Sequence, residues 1–519
     1  MFSLCFSNLS NEALAEIIDS LNGYKQLKSL LVEEVMIERN EKYYDMLAQI
    51  IDLNCIFSCK KNAEILRKLR DHNYVWDKDS DEVLSVRNWD PEDDPNGETF
   101  CAEEGDDWGW LGYFIGKNRQ IRWLSLEWLP EDEDDVDAFM DGLCRNQYIK
   151  RLEVIRCEID FASLSSFILN NSNLQWLRLE NVPIGLENAR MLAMALHQRQ
   201  HKSLTKFCLR GNNIEDEALG EITAALSDYS YLKSLDVSEN MLIQSGGCNS
   251  LGAIIRSAAL HLERLFLFEN NFGDEDLQTL VAALTNTSSL RLLDVSCNPS
   301  ITATGLRVLS RLFCSACPLE TLFLDKMNIG DDGAEALADG LMGNSTLKHL
   351  VITPDSAGIT RAGWSAFSKL LCDDSSINNT YQSNHTLEHI GDDYHFMSSP
   401  DGSSRFHSRG GFQGIPSHVA LLLYVNKKYS PHPQVVTKVK IANSHPDIPV
   451  EVFFHYKLKF LPFLVSWFEG LYLDSGHQRL FQERELSAVY KFIRGMPMLV
   501  VDSQVKLKCS CGRKRKHDE

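Results

Sequence analysis

The chain repeats itself, and that periodicity limits what it can fold into. "SLTKFCLRGNNIEDEALGEITAAL" from Ser203 returns as "HLERLFLFENNFGDEDLQTLVAAL" from His261, with the same apolar beat and an Asn at the same place. Alignment on L-x-x-L-x-L-x-x-N-x-I recovers copies starting at Leu204, Leu232, Leu262, Leu290 and Leu319, earlier ones at Ile121, Ile149 and Leu174, and fainter ones at Leu27 and Leu347. The spacing is roughly 25 to 30 residues, a period that signals stacked structural units. A chain of 519 residues is too long for one compact core. It forms either several domains or one elongated repeat array, and the internal echo selects the array.

Each copy has two halves with different periods. The L-x-L segment alternates as a strand does, whereas "ALGEITAAL" from Ala218 spaces its apolar residues at three and four as a helix does. One strand plus one helix makes one turn that cannot bury its own apolar side. Neighbouring turns must therefore stack, with a parallel sheet inside a curved solenoid and helices outside. The fourth repeat position marks the register at Leu124, Leu152, Leu177, Phe207, Leu235, Leu265, Leu293, Leu322 and Leu350, with fainter marks at Leu4, Leu30, Ile56, Leu84 and Ile390.

The register breaks between Leu84 and Leu124 and again between Leu350 and Ile390. The pattern thus divides the chain into degenerate repeats over 1–120, with an acidic insertion at about 88–107, and regular repeats over 121–372. A polar insertion, a last partial repeat and a Ser/Gly linker fill 373–415. An apolar, mostly helical region over 416–501 is expected to cap the solenoid, and 502–519 is a basic, disordered tail. The insertion "NWDPEDDPNGETFCAEEGDDWGWLGYF" from Asn88 reads either as a solvated loop extended by charge repulsion or as a recognition loop for a basic partner. A second acidic run, "PEDEDDVDAF", follows from Pro130.

Composition narrows the function. A hydrophobic content of 44% with 24% charged residues is that of a folded chain, and a formal net charge of -20 repels nucleic-acid phosphates. No stretch reaches the 18 or so apolar residues of a spanning helix. Fourteen scattered Cys and an N-terminus without a signal-peptide pattern suggest an intracellular, cytoplasmic protein. The tail "GRKRKH" resembles a nuclear-import signal, which adds the nucleus as an alternative. Asn-x-Ser/Thr triplets at Asn8, Asn170, Asn286, Asn344, Asn378 and Asn384 would be glycan acceptors in a secreted chain, but triplets this short also arise by chance.

Catalytic and metal signatures do not assemble. "GYFIGKN" from Gly112 is one residue short of a phosphate-binding loop and ends in Asn118 where Ser or Thr would meet magnesium. H-E-x-x-H and G-x-S-x-G are absent from the sequence, the acidic runs do not match a calcium loop, and "CSAC" and "CSC" lack a second thiol pair at zinc spacing. The expectation is a non-enzymatic protein with no cofactor and no metal.

Function must then be binding, on residues that flank the inward Leu positions of each strand. These include Trp123, Arg151, Trp176, Arg178, Lys206, Arg210, Arg264, Phe266, Phe268 and Phe323. Trp and Arg are the composition of interface hot spots. The alternative is that the aromatics cover neighbouring strands, or meet an insertion or the C-terminal region folded into the hollow. Asn212, Asn240, Asn270 and Asn298 fall where each chain turn leaves its strand, and there an inward amide can satisfy backbone groups that have no ladder partner.

The copies from Leu204 to Asn344 resemble ribonuclease-inhibitor-like leucine-rich repeats. That resemblance implies an α/β, curved leucine-rich-repeat solenoid, with a parallel β-sheet on the concave face, α-helices on the convex face and a mostly helical C-terminal region. It is shared more distantly with the repeat arms of NOD-like receptors, whose nucleotide-binding module has no counterpart in this sequence, and with Ran GTPase-activating proteins. The leading expectation is a scaffold or adaptor that binds a protein partner on the concave face, with no nucleic acid and no membrane span. The alternative is a Ran-type activator acting on a small GTPase, although no Arg here matches the activating one.

Overall fold

The structure is a computed structural model. It describes residues 2–5, 11–22, 30–33, 41–48, 60–72, 83–87, 99–101, 108–129, 133–257, 261–353, 357–391 and 415–430, together with residues 53, 436, 437, 440 and 444. The acidic run after Pro130 lies partly outside these residues, and the basic tail wholly outside them. Of the expected C-terminal cap, only 416–430 and four later residues fall inside.

Two strands at the start, β1 (Phe2–Cys5) and β2 (Leu30–Glu33), pair in parallel. Twelve more form one open parallel sheet. They are β3 (Leu84–Arg87), β4 (Thr99–Cys101), β5 (Trp123–Glu127), β6 (Arg151–Ile155), β7 (Trp176–Glu180) and β8 (Lys206–Cys208). Then follow β9 (Ser234–Asp236), β10 (Arg264–Phe266), β11 (Leu292–Asp294), β12 (Thr321–Phe323), β13 (His349–Val351) and β14 (His389–Gly391). From β5 onward chain order is spatial order. Helices such as Leu186–Gln198, Asp216–Leu226 and Asp274–Leu284 return the chain between strands and pack on one another in sequence.

The apolar markers drive this register. Leu84, Leu124, Leu152, Leu177, Phe207, Leu235, Leu265, Leu293, Leu322, Leu350 and Ile390 stand opposite one another across the sheet. All are buried in one continuous core with the inner faces of the helices. A one-residue slip would turn each of them out of that core. At the first pair the register differs from the sequence expectation: Leu4 stands opposite Val32, not Leu30. The offset is two residues, so the alternation of the two strands stays in phase.

The acidic insertion is also more than a loop. Its later part is β4, which extends the sheet beyond β3, with Thr99, Phe100 and Cys101 all buried. Asn62 clamps it from the helix Lys60–Arg70, its Nδ2 donating to the Cys101 carbonyl (2.6 Å) and its Oδ1 accepting from the Cys101 amide (3.0 Å). An edge strand needs its backbone groups satisfied, and this clamp does so without another strand.

Two devices recur along the stack. The residue before each turn position takes a left-handed conformation, at Trp128, Arg156, Asn181, Gly211, Glu239, Glu269, Cys297 and Lys326, of which Gly211, Glu239, Glu269 and Cys297 precede the turn asparagines. In addition, the Asp that opens one helix caps the next. Asp274 accepts from the Thr302 and Gly305 amides (2.8 and 3.0 Å), and Asp331 from those of Thr360 and Gly363 (2.8 and 2.9 Å). These carboxylates sit on the positive ends of neighbouring helix dipoles, which stabilises both.

The glycines of "GYFIGKN" have a packing reason. Gly112 lies mid-helix in Trp108–Lys117 and faces Gly142 of the helix Glu133–Leu143, and a Cβ on Gly142 would stand 2.2 Å from the Gly112 carbonyl carbon. The two backbones touch because neither residue carries a side chain.

At the far end the helix Ser417–Tyr429 packs against β14 and the helix Arg361–Leu371, burying Val419 and Leu423 in the same core. It follows β14 as each other helix follows its strand, so the solenoid runs at least this far.

Candidate protein-interaction face

The helices lie on one side of the sheet, so the strand residues between the core positions line the other side. The first strand residue makes one row across the sheet: Trp123, Arg151, Trp176, Lys206, Ser234, Arg264, Leu292, Thr321, His349 and His389. Two residues on runs a second row, through Arg178, Cys208, Asp236, Phe266, Asp294, Phe323 and Val351. Arg210 and Phe268 come two residues later still, just past their strands.

Over β5 to β8 the first row is a cation–π stack. The Arg151 guanidinium lies 3.6 Å from the Trp123 ring centroid and 3.2 Å from that of Trp176, and Lys206 Nζ covers Trp176 at 4.1 Å. Strand spacing of about 4.8 Å puts a flat cation between two flat rings with no room to spare. Arg151 was expected as a partner-facing residue, but it is only 9% exposed and its hydrogen bonds are taken. Its Nε and Nη2 both donate to Glu153 Oε1 (2.9 and 2.6 Å). Arg178 continues the network to Glu180 (Nε to Oε2, 2.7 Å) and approaches Glu153 at 3.8 Å. Stacked, half-desolvated cation–π contacts contribute about 0.5 to 2 kcal/mol each. This half of the face is accordingly rigid before anything binds it.

The second half is apolar. Phe266, Leu292, Phe323 and Val351 pack together as a small cluster separate from the main core. Arg210 links the two halves, paired with Glu239 and lying 4.7 Å from the Phe268 ring centroid across the buried Ser238. Arg264 stands half-buried in the first row of β10. The candidates thus form a Trp–Arg group and a Phe group, joined at Arg210 and Phe268.

Three acids and a thiol run between the groups. Burial pushes the Asp236 carboxyl up, against the Ser238 amide that donates to it at 3.0 Å. Asp294 is pushed up to about 7 by burial, with Asp325 and Asp236 adding repulsion, although the Ser296 amide donates to it at 2.9 Å. Burial and Asp236 likewise hold Cys208 as a thiol, 3.6 Å from Asp236 Oδ2. These groups are turn-capping acids, and among the described residues no His, Cys, Asp and Glu cluster is placed to hold a metal.

The turn asparagines point into the wall. Asn212, Asn240, Asn270 and Asn298 are all 0% exposed. Asn240 Oδ1 accepts from the Asn212 and Ile214 amides (both 3.1 Å), while its Nδ2 donates to the Leu209, Val237 and Ser238 carbonyls. Asn298 repeats this pattern one copy further on but one.

A second Asn series went unread in the sequence. Asn118, Asn146, Asn171, Asn344 and Asn384 sit where helices hand over to strands, each accepting from amides just downstream. Their signal was present as an Asn three residues before an apolar position, as in "NRQI" and "NQYI". Two of these, Asn344 and Asn384, are sequon asparagines, and both are buried with their amides occupied.

The family model described as "Leucine Rich repeat" matches residues 287–310, one turn that includes β11. Over 374 residues the chain is 26% identical to mouse (Mus musculus) NACHT, LRR and PYD domains-containing protein 5, a match covering 69% of this chain and 30% of that protein. Pig (Sus scrofa) ribonuclease inhibitor is 26% identical over 195 residues, 36% of this chain and 40% of the inhibitor. The repeats are ribonuclease-inhibitor-like leucine-rich repeats. NACHT, LRR and PYD domains-containing protein 12 of mouse is 27% identical over 213 residues, covering 40% of this chain and 20% of that relative. This leucine-rich-repeat chain therefore spans about a third or less of the length of these larger relatives. The likeness belongs to the repeats, a class of fold that offers an extended concave surface to protein partners. Among the described residues no helix is long and apolar enough to cross a membrane.

Proposed function

We propose that this chain is a non-enzymatic scaffold or adaptor that binds a protein partner on the concave face, over β5 to β10. The observation that carries the reading is the Trp123–Arg151–Trp176–Lys206 stack, which fixes two Trp rings and a cation in register on the sheet face without help from the core. Such preorganised aromatic and cationic anchors cost little ordering entropy when a partner arrives. The acidic runs and the net charge of -20 favour a basic partner through faster encounter.

Capture of partners from the native cell on the full chain, identified by mass spectrometry, supplies the ligand. Its purified binding is then compared with that of Lys206→Glu and Phe268→Ser. Binding roughly 10-fold weaker or more, with an unchanged melting temperature, supports the concave site, as expected for loss of a hot-spot residue. Unchanged affinity for both variants overturns it. Stimulated GTP hydrolysis against a panel of small GTPases tests the activator alternative, in which an arginine contribution would appear as about 10³ to 10⁵ in rate.

A further inference from the structure

We propose, resting on the concave site above, that the face over β3 to β8 recognises an uncharged segment of the protein partner, one that presents aromatic or amide side chains to the rings and guanidiniums. Residues i and i+2 of a strand share a face, so the charges on this half follow strand by strand. The arginines of the concave rows are Arg87, Arg151, Arg178 and Arg210, and each has a carboxylate at ion-pair distance. Arg87 Nε stands 3.1 Å from Glu127 Oε2 across the β3–β5 pair, Arg151 Nη2 donates to Glu153 Oε1 at 2.6 Å, and Arg178 Nε to Glu180 Oε2 at 2.7 Å. Arg210, just past β8, pairs with Glu239 of the next turn. The remaining cation of these rows, Lys206, lies on the Trp176 ring. Glu127, Glu153 and Glu180 are all spent on these pairs, so the net charge of -20 is carried elsewhere in the chain.

A charge that enters this half finds its counter-charge already engaged. A carboxylate brought to Arg151 or Arg178 meets Glu153 and Glu180 as well, and an ammonium brought to those acids meets the guanidiniums. Either ion sheds its water without gaining a partner of its own, and that desolvation costs more than the contact returns. Uncharged groups lose little by comparison. The Trp123–Arg151–Trp176 sandwich stacks along the sheet, with the guanidinium 3.6 and 3.2 Å from the two ring centroids, so the ring faces are used internally and the ring edges are left toward the hollow. Ring edges carry the positive part of the aromatic quadrupole and attract aromatic faces and carbonyl oxygens. Arg178 and Arg210 add guanidiniums whose flat, weakly hydrated faces stack on planar groups while their edges stay with Glu180 and Glu239. The net charge of -20 acts at longer range, on the encounter with a partner, and does not set the chemistry of this contact.

Random peptides displayed on phage, selected on the full chain, test this. Enriched peptides are synthesised and measured against wild type, Trp176→Leu and Lys206→Glu, each variant first checked for an unchanged melting temperature. Those that lose about 10-fold or more in affinity with either variant are scored as concave-face binders. They are expected to carry a net charge near zero, to be enriched in Tyr, Trp, Phe, Asn or Gln over the library, and to hold their affinity within about 2-fold between about 0.05 and 0.5 M NaCl. Scored peptides rich in acidic or in basic residues, or a loss of about 10-fold with salt, overturn the inference and leave the concave site standing. If no selected peptide loses affinity with either variant, the concave site itself falls and the inference with it. A second selection on Glu180→Gln, which takes from Arg178 its nearest carboxylate, should shift the scored peptides toward Asp and Glu, and a set unchanged in charge counts against the charge balance.

Discussion

Replacing Asn240 by Ala should cost far more than replacing Asn270, although the repeat pattern makes the two positions identical. Asn240→Ala removes the acceptor of the Asn212 and Ile214 amides and the donor to the Leu209 and Val237 carbonyls. The Ser238 carbonyl keeps the Gly211 amide as a partner. A buried group left unsatisfied costs about 1 to 3 kcal/mol, so the two amides alone set a range of about 2 to 6 kcal/mol. A water admitted to the void serves some of these groups, which brings the expectation to about 3 to 5 kcal/mol. At Asn270 the account differs. Its Oδ1 accepts only from the Asn240 amide (2.8 Å), and its buried Nδ2 has no hydrogen-bond partner. Asn270→Ala therefore orphans one amide and relieves one orphaned donor, for a net loss of about 1 kcal/mol. Urea denaturation followed by far-UV circular dichroism measures both variants, with equal m values required before the midpoints are compared. Losses within about 1 kcal/mol of each other, or a larger loss at Asn270, would refute the argument that individual hydrogen bonds, and not the repeat position, set the cost.

Two further perturbations follow from the same geometry. Gly142→Ala should destabilise by about 3 kcal/mol or more in the same assay, because its Cβ would meet backbone that cannot move aside, whereas Gly185→Ala, with nothing within 4 Å, should lie within about 0.5 kcal/mol of wild type. Asp294 holds its proton in the folded state up to about 7, while the unfolded chain loses it near the ordinary value of 3.8. The folded state then binds more protons between those values, so stability is full below about pH 4 and falls as pH rises through 7. Asp294→Asn keeps the acceptor for the Ser296 amide and removes this dependence; its melting temperature should match wild type at pH 4 and exceed it at pH 8, and parallel curves would refute the assignment.

Much of the solenoid was readable because its cause is local and repeated. The Leu markers that align from Leu84 to Ile390 follow from a two-residue strand alternation meeting a helical period, and any other register exposes the core. Register was lost where one cycle does not determine the answer. Leu4 against Val32 preserves the same faces as Leu4 against Leu30, so patterning alone does not separate them. β4 hid inside an acidic insertion because three buried residues carry too little periodicity to be seen, and the Asn62 clamp that holds it comes from 39 residues away.

The candidate face was legible as a list and not as an arrangement. Alternation named Trp123, Arg151, Trp176 and Lys206, since side-chain direction along a strand depends on the chain alone. That Arg151 is spent between two rings and on Glu153, while Phe323 is covered, depends on neighbours one strand and one turn away. The sequence by itself determined which residues are wall and which look inward to the hollow, because periodicity is a property of single turns. Only the tertiary structure decided which of those inward residues are already engaged, because cation–π stacking and burial are properties of stacked turns at about 4.8 Å.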